Sequence, residues 1–455
     1  MVSVPAVVIA APASGSGKTT VATGLVGALR DAGHRVAPFK VGPDYIDPSY
    51  HGLAAGRPGR NLDPVLVGQQ RIGPLFAHGS TGCDIAVVEG VMGLFDGKID
   101  TANSAASAEG STAAVAATLG APVVLVIDAR GHSQSLAAVL HGFATFDSHV
   151  RIGGVILNRV GSERHEHVLR DAAARVGIPV LGVVPRMAEL EVPSRHLGLV
   201  PAVEHGRAAV DAVAAMTELI GKHVDLDAVT RLAASNVDDS AWDPAAEVGT
   251  AETSRPTIAV AGGAAFTFGY AEHGELLAAA GAQVVTFDPL HDRLPDGIDG
   301  LVLPGGFPEE HAADLSANDE LRHQVRGLAV AGMPIHAECA GLLYLARSLD
   351  GVPMAGVLDV DAAFGSRLTL GYREAVALTD SPLWSAGERV VGHEFHRTTL
   401  AAAPTGAWGW RTWDGSNTVE GYVSGRVHAS YLHTHPAGHP HAIGRFVTAA
   451  ATWRN

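Results

Sequence analysis

The chain has 455 residues, which is long enough for two or three domains at about 150 residues each. Apolar residues make up 47% and charged residues 17% of the sequence, a composition that favours globular cores over disorder. The formal net charge of −15 argues against a nucleic-acid surface, although an anionic small molecule can still bind where basic groups cluster locally.

The first half of the chain alternates β-branched runs with amphipathic helical segments. Short apolar strands separated by helices predict an α/β fold with a parallel sheet covered on both faces. The predicted strands are residues 6–11, 35–41, 85–90, 123–128, 152–158 and 180–185.

Targeting and membrane segments are not expected. The amino terminus lacks the positive region of a signal peptide, and the apolar stretch 113–128 is interrupted by Gly120 and Pro122. The two cysteines, Cys83 and Cys339, are far apart in sequence and predict no disulfide framework. We therefore expect a cytoplasmic protein without a membrane span.

A candidate phosphate loop, APASGSGKTT, follows the first predicted strand and opens the first predicted helix. Phosphate binding needs backbone N–H groups aimed at phosphate oxygens, which a glycine-rich loop at a helix amino terminus provides. Lys18 can reach the β- and γ-phosphates, and Thr19 can ligate Mg²⁺. Ala11 or Pro12 stands where the motif has its first glycine, so a glycine turn with an incidental lysine is the alternative. The residues predicted to bind ATP are Ser14, Gly15, Ser16, Gly17, Lys18, Thr19 and Thr20.

Acidic side chains follow two of the predicted strands. The run VVEGVMGLFDG places Glu89 at the end of a strand and Asp96 after a glycine turn, and KVGPDYIDPSYH places Asp44 and Asp47 after another strand. Carboxyl ends of parallel strands face the ligand crevice, and Mg²⁺ prefers oxygen ligands. Turn formation or helix capping is the alternative for each aspartate. We predict Thr19, Asp44 and Glu89 as metal ligands, and Asp47 and Asp96 as substrate-activating groups.

Two arginines lie in a loop rich in glycine and proline, GRPGRNLDP. Arg57 and Arg60 can each bind a carboxylate substrate bidentately, which predicts a substrate clamp. A solvated loop is an equally good interpretation of this stretch.

The domain organisation follows from a change of pattern in the middle of the chain. Residues 221–255 are polar and without periodicity, as is typical of an interdomain linker. After Pro256 a second α/β unit begins, and the tail beyond about residue 350 is predicted to mix antiparallel strands with loops. We therefore predict a P-loop ATP-binding domain over residues 1–220, a linker over 221–255 and a second domain over 256–455.

The run PIHAECAGLLYL places Cys339 at a sharp predicted turn between a strand and a helix. A nucleophile elbow needs small residues two positions before and after the nucleophile, and Ala337 and Gly341 meet that need. The backbone N–H of Ala340 would then form an oxyanion hole with that of Gly306, which follows the predicted strand in LVLPGGFPEE. A buried structural cysteine is the alternative.

A thiol nucleophile also needs a base within reach. The run HASYLHTHP supplies His433 and His435 near the end of the second domain. A surface loop or a metal site is the alternative, although the histidines lack a cysteine or carboxylate pattern typical of zinc sites. Cys83 has no elbow and no glycine loop nearby, and we predict that it is structural.

Together these stretches resemble the cobyrinic and hydrogenobyrinic acid a,c-diamide synthases, which are ATP- and glutamine-dependent amidating enzymes of cobalamin biosynthesis. The resemblance covers nearly the whole chain outside the linker. It rests on KVGPDYIDPSYH, GRPGRNLDP, VVEGVMGLFDG, LVLPGGFPEEHA, AECAGLLYL, GHEFH and ASYLHTH. It implies a P-loop domain similar to dethiobiotin synthetase, followed by a class I glutamine amidotransferase domain.

The resemblance also implies roles for single residues. Cys339 would be the glutaminase nucleophile and His433 its activating histidine, while Thr19 and Glu89, with Asp44 or Asp47, would serve Mg–ATP and substrate activation. Asp96 matches another acidic position of the family. Class I amidotransferases usually carry a glutamate two residues after the catalytic histidine, where this chain has His435. The third member of the triad therefore stays open between His435 and a Cys–His dyad.

The activity that the resemblance implies is amidation of two corrinoid carboxylates. ATP would convert each carboxylate to an acyl phosphate, and ammonia from glutamine would displace the phosphate. The metal-free and the cobalt-containing acceptor both stay open, as does another tetrapyrrole such as nickel-sirohydrochlorin. A P-loop ATPase with a degenerate second domain that serves as a binding module is the alternative from another class. A homodimer is compatible with these expectations.

Overall fold

The computed structural model describes most of the chain, and it divides into two units, Met1–Trp242 and Asp243–Asn455. The described residues are 3–99, 107–186, 194–195, 198–199, 201–412 and 414–453. Among them, no helix combines the length and apolar character that crossing a bilayer requires.

The first unit is built on a parallel sheet. Its strands are β1 (Ala6–Ala10), β2 (Val36–Val41), β3 (Arg60–Leu62), β4 (Ile85–Glu89), β5 (Val123–Asp128), β6 (Ile152–Val160), β7 (Val180–Pro185), β8 (Ser194–Arg195) and β9 (Gly198–Leu199). Seven of these strands are all parallel, in the order β3-β2-β4-β1-β5-β6-β7, and β8 pairs with β9. The predicted parallel α/β sheet is confirmed. The short strand β3 was not predicted, because it lies in a glycine- and proline-rich stretch.

Helices surround this sheet. They are α1 (Lys18–Asp31), α2 (Asp47–Ala55), α3 (Pro64–Val67), α4 (Ile72–Gly79), α5 (Thr112–Leu119), α6 (Leu136–Phe146), α7 (Glu163–Arg175), α8 (Ala202–His205), α9 (Arg207–His223) and α10 (Leu226–Leu232), with a 3-10 turn at Gln69–Arg71. Side-chain caps mark several helix starts: Asp63 caps α3, Ser111 caps α5 and Ser162 caps α7. The helices leave the strand β1 completely buried.

The predicted linker, residues 221–255, contains regular structure. It includes the helix α10, whose Val229 is completely buried, and a short helix that begins at Pro244. The backbone N–H of Trp242 donates to the carbonyl of Pro74 at 2.9 Å, and the Trp242 ring packs edge-on against His78. The part of this segment up to Trp242 therefore packs on the first unit, although its polar sequence suggested an irregular linker.

Two sheets are formed by the described residues of the second unit. Its strands are β10 (Thr257–Ala261), β11 (Gln283–Phe287), β12 (Gly300–Leu303), β13 (Ile335–Glu338), β14 (Ser348–Leu349), β15 (Val352–Pro353), β16 (Asp361–Ala377), β17 (Arg389–Leu400), β18 (Trp408–Arg411), β19 (Asn417–Glu420), β20 (Tyr422–Ser424) and β21 (Val427–Ser430). The first sheet has the order β11-β10-β12-β13-β21-β20 and is parallel except for β20. In the second sheet, β16 and β17 form a long antiparallel ribbon, as predicted for the tail.

Helices precede, connect and follow the strands of the second unit. They are α11 (Pro244–Val248), α12 (Ala271–Ala279), α13 (Ala312–Ala317), α14 (Asp319–Val330), α15 (Ala340–Leu345) and α16 (Pro440–Ala451), with 3-10 turns at Pro308–His311 and Pro436–Gly438. The helix α15 is buried along its whole length beside the parallel sheet. This placement fixes the turn between β13 and α15 in the interior of the unit.

Candidate active sites

The phosphate loop joins β1 to α1 at the carboxyl end of the central strand of the sheet. Gly15 and Gly17 have φ angles of 79° and 94°, which glycine adopts without strain. A Cβ atom on Gly17 would lie 2.3 Å from Nδ2 of Asn158, and this same Nδ2 donates to the carbonyl of Ser16 at 2.9 Å. The loop is therefore held in place at a helix amino terminus, where an anion is stabilised.

Lys18 is the basic group of this loop, and it is largely buried. Its Nζ donates to the carbonyl oxygen of Met92 at 2.6 Å, across the loop that follows β4. Burial, together with the charge of Lys40, lowers the pKa of Lys18. A phosphate would supply the full negative charge that a carbonyl partner lacks.

Thr19 and three carboxylates meet around a buried lysine. The Thr19 hydroxyl donates to Oε1 of Glu89 at 2.7 Å and lies 3.2 Å from Oδ2 of Asp47. Nζ of Lys40 lies 2.6 Å from Oδ2 of Asp47, 3.1 Å from Oε1 of Glu89 and 3.6 Å from Oδ2 of Asp44. The structure thus brings together four of the residues that the sequence predicted for metal binding and substrate activation.

The sequence analysis missed two members of this cluster, Lys40 and His51. Lys40 is opposite Glu89 in the β2–β4 register, and Nε2 of His51, from α2, lies 2.7 Å from Oε2 of Glu89. A charged residue near the end of an apolar strand was the available signal for Lys40. For His51 the signal was its position four residues after Asp47, on the same helix face.

The cluster balances buried charges. Burial opposes the charge on Lys40, but Asp47, Glu89 and Asp44 raise the pKa of its ammonium above the ordinary value. Burial raises the pKa of Asp47 to about 7, and the charge of Asp44 adds to the effect. Burial also opposes ionisation of Glu89, but Lys40 and His51 hold the pKa of Glu89 at about 2. Glu89 is therefore a fixed anion at neutral pH.

The oxygen donors of this cluster fit a magnesium ion that arrives with phosphates. Mg²⁺ is usually held by one or two carboxylates together with phosphate oxygens and water. The Thr19 hydroxyl and the carboxylates of Asp47 and Glu89 supply such oxygens beside the phosphate loop. Within the described ranges, no group of three or more His, Cys, Asp or Glu side chains is arranged to hold a metal by itself.

Of the remaining predicted residues of the first unit, Asp96 lies beside the phosphate loop, where its charge raises the pKa of Lys18, whereas Arg57 lies away from it. Oδ2 of the exposed Asp96 accepts from the N–H of Gly93 at 3.0 Å and shapes the loop after β4. Arg57 donates to the carbonyl of Gly79 at 2.9 Å and contacts Cys83, before the amino end of β4. This is the edge of the sheet opposite the phosphate loop, so these contacts do not support a substrate clamp at Arg57.

Arg60 is the first residue of the edge strand β3. A Cβ atom on Gly79 would lie 2.8 Å from Cδ of Arg60, so the stem of this arginine packs against α4. Cys83 is buried and free, in agreement with its predicted structural role. The clamp predicted for Arg60 stays a prediction.

In the second unit, Cys339 forms a strained turn between β13 and α15. Its φ angle is 48°, an unusual value for a residue with a side chain, and such strain is typical of a nucleophile elbow. A Cβ atom on Gly341 would lie 2.1 Å from the carbonyl oxygen of Leu303, and Ala337 is completely buried. Close packing therefore requires a glycine at position 341, and Ala337 lies in the interior, as the elbow interpretation predicts.

The predicted oxyanion donors lie next to the thiol. The backbone N–H groups of Ala340 and Gly306 both interact with the Cys339 sulfur and favour its thiolate form. Burial has the larger effect, however, and with the charge of Glu309 it raises the pKa of the Cys339 thiol above its ordinary value. The thiol therefore needs a base to become a nucleophile.

His433 is completely buried just after β21, the strand beside β13. A Cβ atom on Gly305 would lie 2.4 Å from Cε1 of His433, which places the imidazole against the loop that also carries Gly306. Its Nδ1 lies 3.6 Å from Oε2 of Glu338. The histidine and the oxyanion loop thus share one pocket.

His435 has a different environment from the one predicted. Its Nδ1 accepts from the N–H of Ala437 at 3.2 Å and caps the 3-10 turn Pro436–Gly438. Its ring packs against Tyr270, with 4.0 Å between the ring centroids. These contacts do not support His435 as the third member of a triad.

The GHEFH run, for which the sequence suggested no role, forms part of β17 beside the thiol. The backbones of His393 and His433 exchange two N–H···O hydrogen bonds of 2.9 Å. The Phe395 carbonyl oxygen lies 3.9 Å from Sγ of Cys339. Glu394 binds Arg373 at 2.6 Å, and His396 stacks on Tyr431. The ribbon β16–β17 therefore lines the pocket of the nucleophile and holds the backbone of His433.

Comparison with known families agrees with the division of the chain into two units. Residues 7–200 match the family described as a CobQ/CobB/MinD/ParA nucleotide binding domain, and residues 257–440 match the CobB/CobQ-like glutamine amidotransferase domain. The fold and its two sites thus define a P-loop nucleotide-binding domain joined to a glutamine amidotransferase domain.

Relatives that match the chain over nearly its full length identify its family more closely. The hydrogenobyrinate a,c-diamide synthase of Mycobacterium bovis is 63% identical over 450 residues, which cover 98% of each chain. The protein of the same name from Streptomyces coelicolor is 55% identical, over 99% of this chain and 98% of its own. The cobyrinate a,c-diamide synthase of Synechococcus sp. is 42% identical over 98% of each chain. The chain belongs to the a,c-diamide synthase family.

The close packing at the elbow gives a prediction on stability. We expect Gly341→Ala to destabilise the second unit by about 1–3 kcal/mol, because the new methyl group would overlap the Leu303 carbonyl. Gly327→Ala is the matched control, since it lies on the exposed face of α14 with no atom within 4 Å of an added Cβ. It is expected to stabilise the unit by about 0.5–1 kcal/mol. Urea denaturation measures both, and equal stability of the two variants would contradict the packing argument.

Proposed function

We propose that this protein amidates the a and c carboxylates of hydrogenobyrinic acid, with ATP as the activating substrate and glutamine as the nitrogen donor. The identity of 63% over nearly the full length to a hydrogenobyrinate a,c-diamide synthase carries this proposal. The cobalt-containing cobyrinic acid is the second acceptor to test, because the relatives named for it match the same length at lower identity.

The glutaminase half of the reaction uses the elbow in the second unit. His433 removes the proton of the Cys339 thiol, and the thiolate attacks the side-chain amide carbon of glutamine. The N–H groups of Gly306 and Ala340 stabilise the oxyanion that forms. His433 returns the proton to the departing nitrogen, so that ammonia leaves and a glutamyl thioester remains. Water then attacks the thioester and releases glutamate.

The synthetase half uses the first unit. A carboxylate is a poor electrophile without a leaving group, so its oxygen first attacks the γ-phosphorus of ATP, which forms an acyl phosphate and releases ADP. The phosphate loop and the charges of Lys18 and Lys40 stabilise the transferred phosphoryl group. Ammonia then attacks the acyl carbon, and phosphate leaves. The two amidations consume two molecules of glutamine and two of ATP.

Magnesium is the metal that the donor set of the first unit suits. Thr19, Glu89 and Asp47, with Asp44 beside them, would hold it against the phosphates. When bound, the ion neutralises charge on the β- and γ-phosphates.

Two buried free thiols also fit a reducing compartment, which supports a cytoplasmic location.

The test is incubation of the purified protein with ATP, Mg²⁺, glutamine and either acceptor, followed by mass spectrometry. We expect two acid groups of hydrogenobyrinic acid to become amides, with glutamate and ADP formed in step with them. A higher kcat/KM for cobyrinic acid than for hydrogenobyrinic acid would show that the cobalt-containing acid is the preferred acceptor. Absence of amide and of glutamate with both acceptors would refute the function.

A further inference from the structure

We propose that Glu338, the residue directly before the nucleophile, is the carboxylate that positions His433 for its work on Cys339. This inference rests on the proposed glutaminase activity. It assigns the third member of the catalytic group to the end of β13, and not to the position two residues after the histidine.

The distance from Glu338 to His433 carries the assignment. Oε2 of Glu338 lies 3.6 Å from Nδ1 of His433, the ring nitrogen that a triad carboxylate contacts. This separation is longer than a hydrogen bond, and catalytic hydrogen bonds are often long until substrate tightens them. The other ring nitrogen, Nε2, is then the one that exchanges protons with the thiol.

The Glu338 carboxylate is held in an orientation that leaves one oxygen for His433. Its Oε1 accepts from the N–H of Thr434 at 3.2 Å and from the Thr434 hydroxyl at 3.0 Å. Nε2 of His336 lies 3.3 Å from the same oxygen. The two Thr434 donors and the His336 ring thus meet at Oε1, while Oε2 is directed towards His433.

The carboxylate is also kept ionised. Burial opposes its charge, but the contacts with His336 and His433 hold the pKa of Glu338 well below its ordinary value. A fixed anion at Nδ1 stabilises the imidazolium that forms when His433 accepts the thiol proton. The buried thiol is otherwise hard to ionise, so this stabilisation acts on the difficult step.

The neighbouring candidates are engaged elsewhere. Nδ1 of His435 is used as a cap by Ala437, and an imidazole supplies no fixed negative charge. Glu394, a buried carboxylate of β17, binds Arg373 through Oε2 at 2.6 Å. Of these groups, Glu338 is the carboxylate with an oxygen, Oε2, directed at the imidazole of His433.

The first test is Glu338→Gln, which keeps the shape of the side chain and removes its charge. We expect kcat for glutamate release to fall about 10²- to 10⁴-fold, as for the loss of a triad carboxylate, with KM for glutamine little changed. Amidation with ammonium chloride should continue at the parental rate and will show that the chain is folded. Glu338→Asp should recover part of kcat.

His435→Asn provides the comparison, because asparagine can still cap the Pro436–Gly438 turn. If Glu338 positions the base, the kcat of this variant stays within about threefold of the parental value. A loss confined to His435→Asn, with Glu338→Gln active, would overturn the assignment. Thr434→Val, which removes one donor to Oε1, should lower kcat about tenfold through looser positioning of Glu338.

A double-mutant cycle distinguishes a positioning role from a structural one. In a His433→Ala background, Glu338→Gln should cause no further loss, since its effect passes through the imidazole. Additive losses in the cycle would overturn the proposal. An active parent with an active Glu338→Gln variant refutes only this assignment, whereas a parent that releases no glutamate refutes the proposed function as well.

Discussion

Replacement of Cys339 by alanine is expected to abolish glutamine-dependent amidation while ammonia-dependent amidation continues. The variant lacks the sulfur that forms the thioester, so glutamate release should fall by about 10⁴- to 10⁶-fold. The phosphate loop and the carboxylate cluster lie in the other unit and are untouched by the change. The measurement is amide formation by mass spectrometry with either glutamine or ammonium chloride as nitrogen source, together with glutamate release.

The second cysteine of the chain is the matched control. Cys83 is buried beside Arg57, away from the phosphate loop, and Cys83→Ala should keep glutamate release at the parental level. An equal loss in both variants would indicate a general effect on folding. Residual glutaminase activity in Cys339→Ala would exclude the thioester mechanism.

Replacement of Lys18 by methionine is expected to abolish amidation with both nitrogen sources. The change removes the positive charge of the phosphate loop and keeps most of the apolar stem, so packing around α1 is largely preserved. We expect kcat/KM for ATP to fall by at least about 100-fold, the effect of losing one group that stabilises developing charge. Glutamate release in the absence of the acceptor should persist, because Cys339 and His433 are unchanged.

The control for the lysine is Lys222→Met, on the exposed side of α9, where the lysine pairs with Glu218. It should leave ATP-dependent amidation intact. Normal amidation by Lys18→Met, with unchanged KM for ATP, would contradict the assignment of ATP to this loop. The two variants, Cys339→Ala and Lys18→Met, should thus lose complementary halves of the reaction.

Much of the fold was predictable, because its signals are local. The apolar strands of the first unit, the loop before α1 and the elbow at Cys339 each depend on neighbours in sequence. The strand β3 escaped prediction, since three residues carry too little pattern against the flanking glycines and prolines. The segment up to Trp242 escaped for a related reason: its packing on Pro74 and His78 is a long-range contact.

The residues of the two sites also divide into those with a signal in the local sequence and those without one. Thr19, Asp47 and Glu89 were predicted because parallel strands bring their carboxyl ends together. Lys40 was missed, since a lysine inside an apolar run gives no sign of the carboxylates that surround it. Glu338 was also missed, because the expected position of a triad carboxylate follows the histidine. Only the three-dimensional pairing of β13 with β21 shows that Glu338 and His433 are neighbours.

The pairing of β13 with β21 also has a consequence for the order in which activity appears during synthesis. The hydrogen bonds between Glu338 and Thr434 join residues 96 positions apart, and contacts this distant in sequence form slowly. When Cys339 has been added to the growing chain, the ribbon β16–β17 and His433 have not yet been synthesised. A nascent chain can therefore fold its nucleotide-binding unit first, and it can free no ammonia until its last strand has joined the sheet.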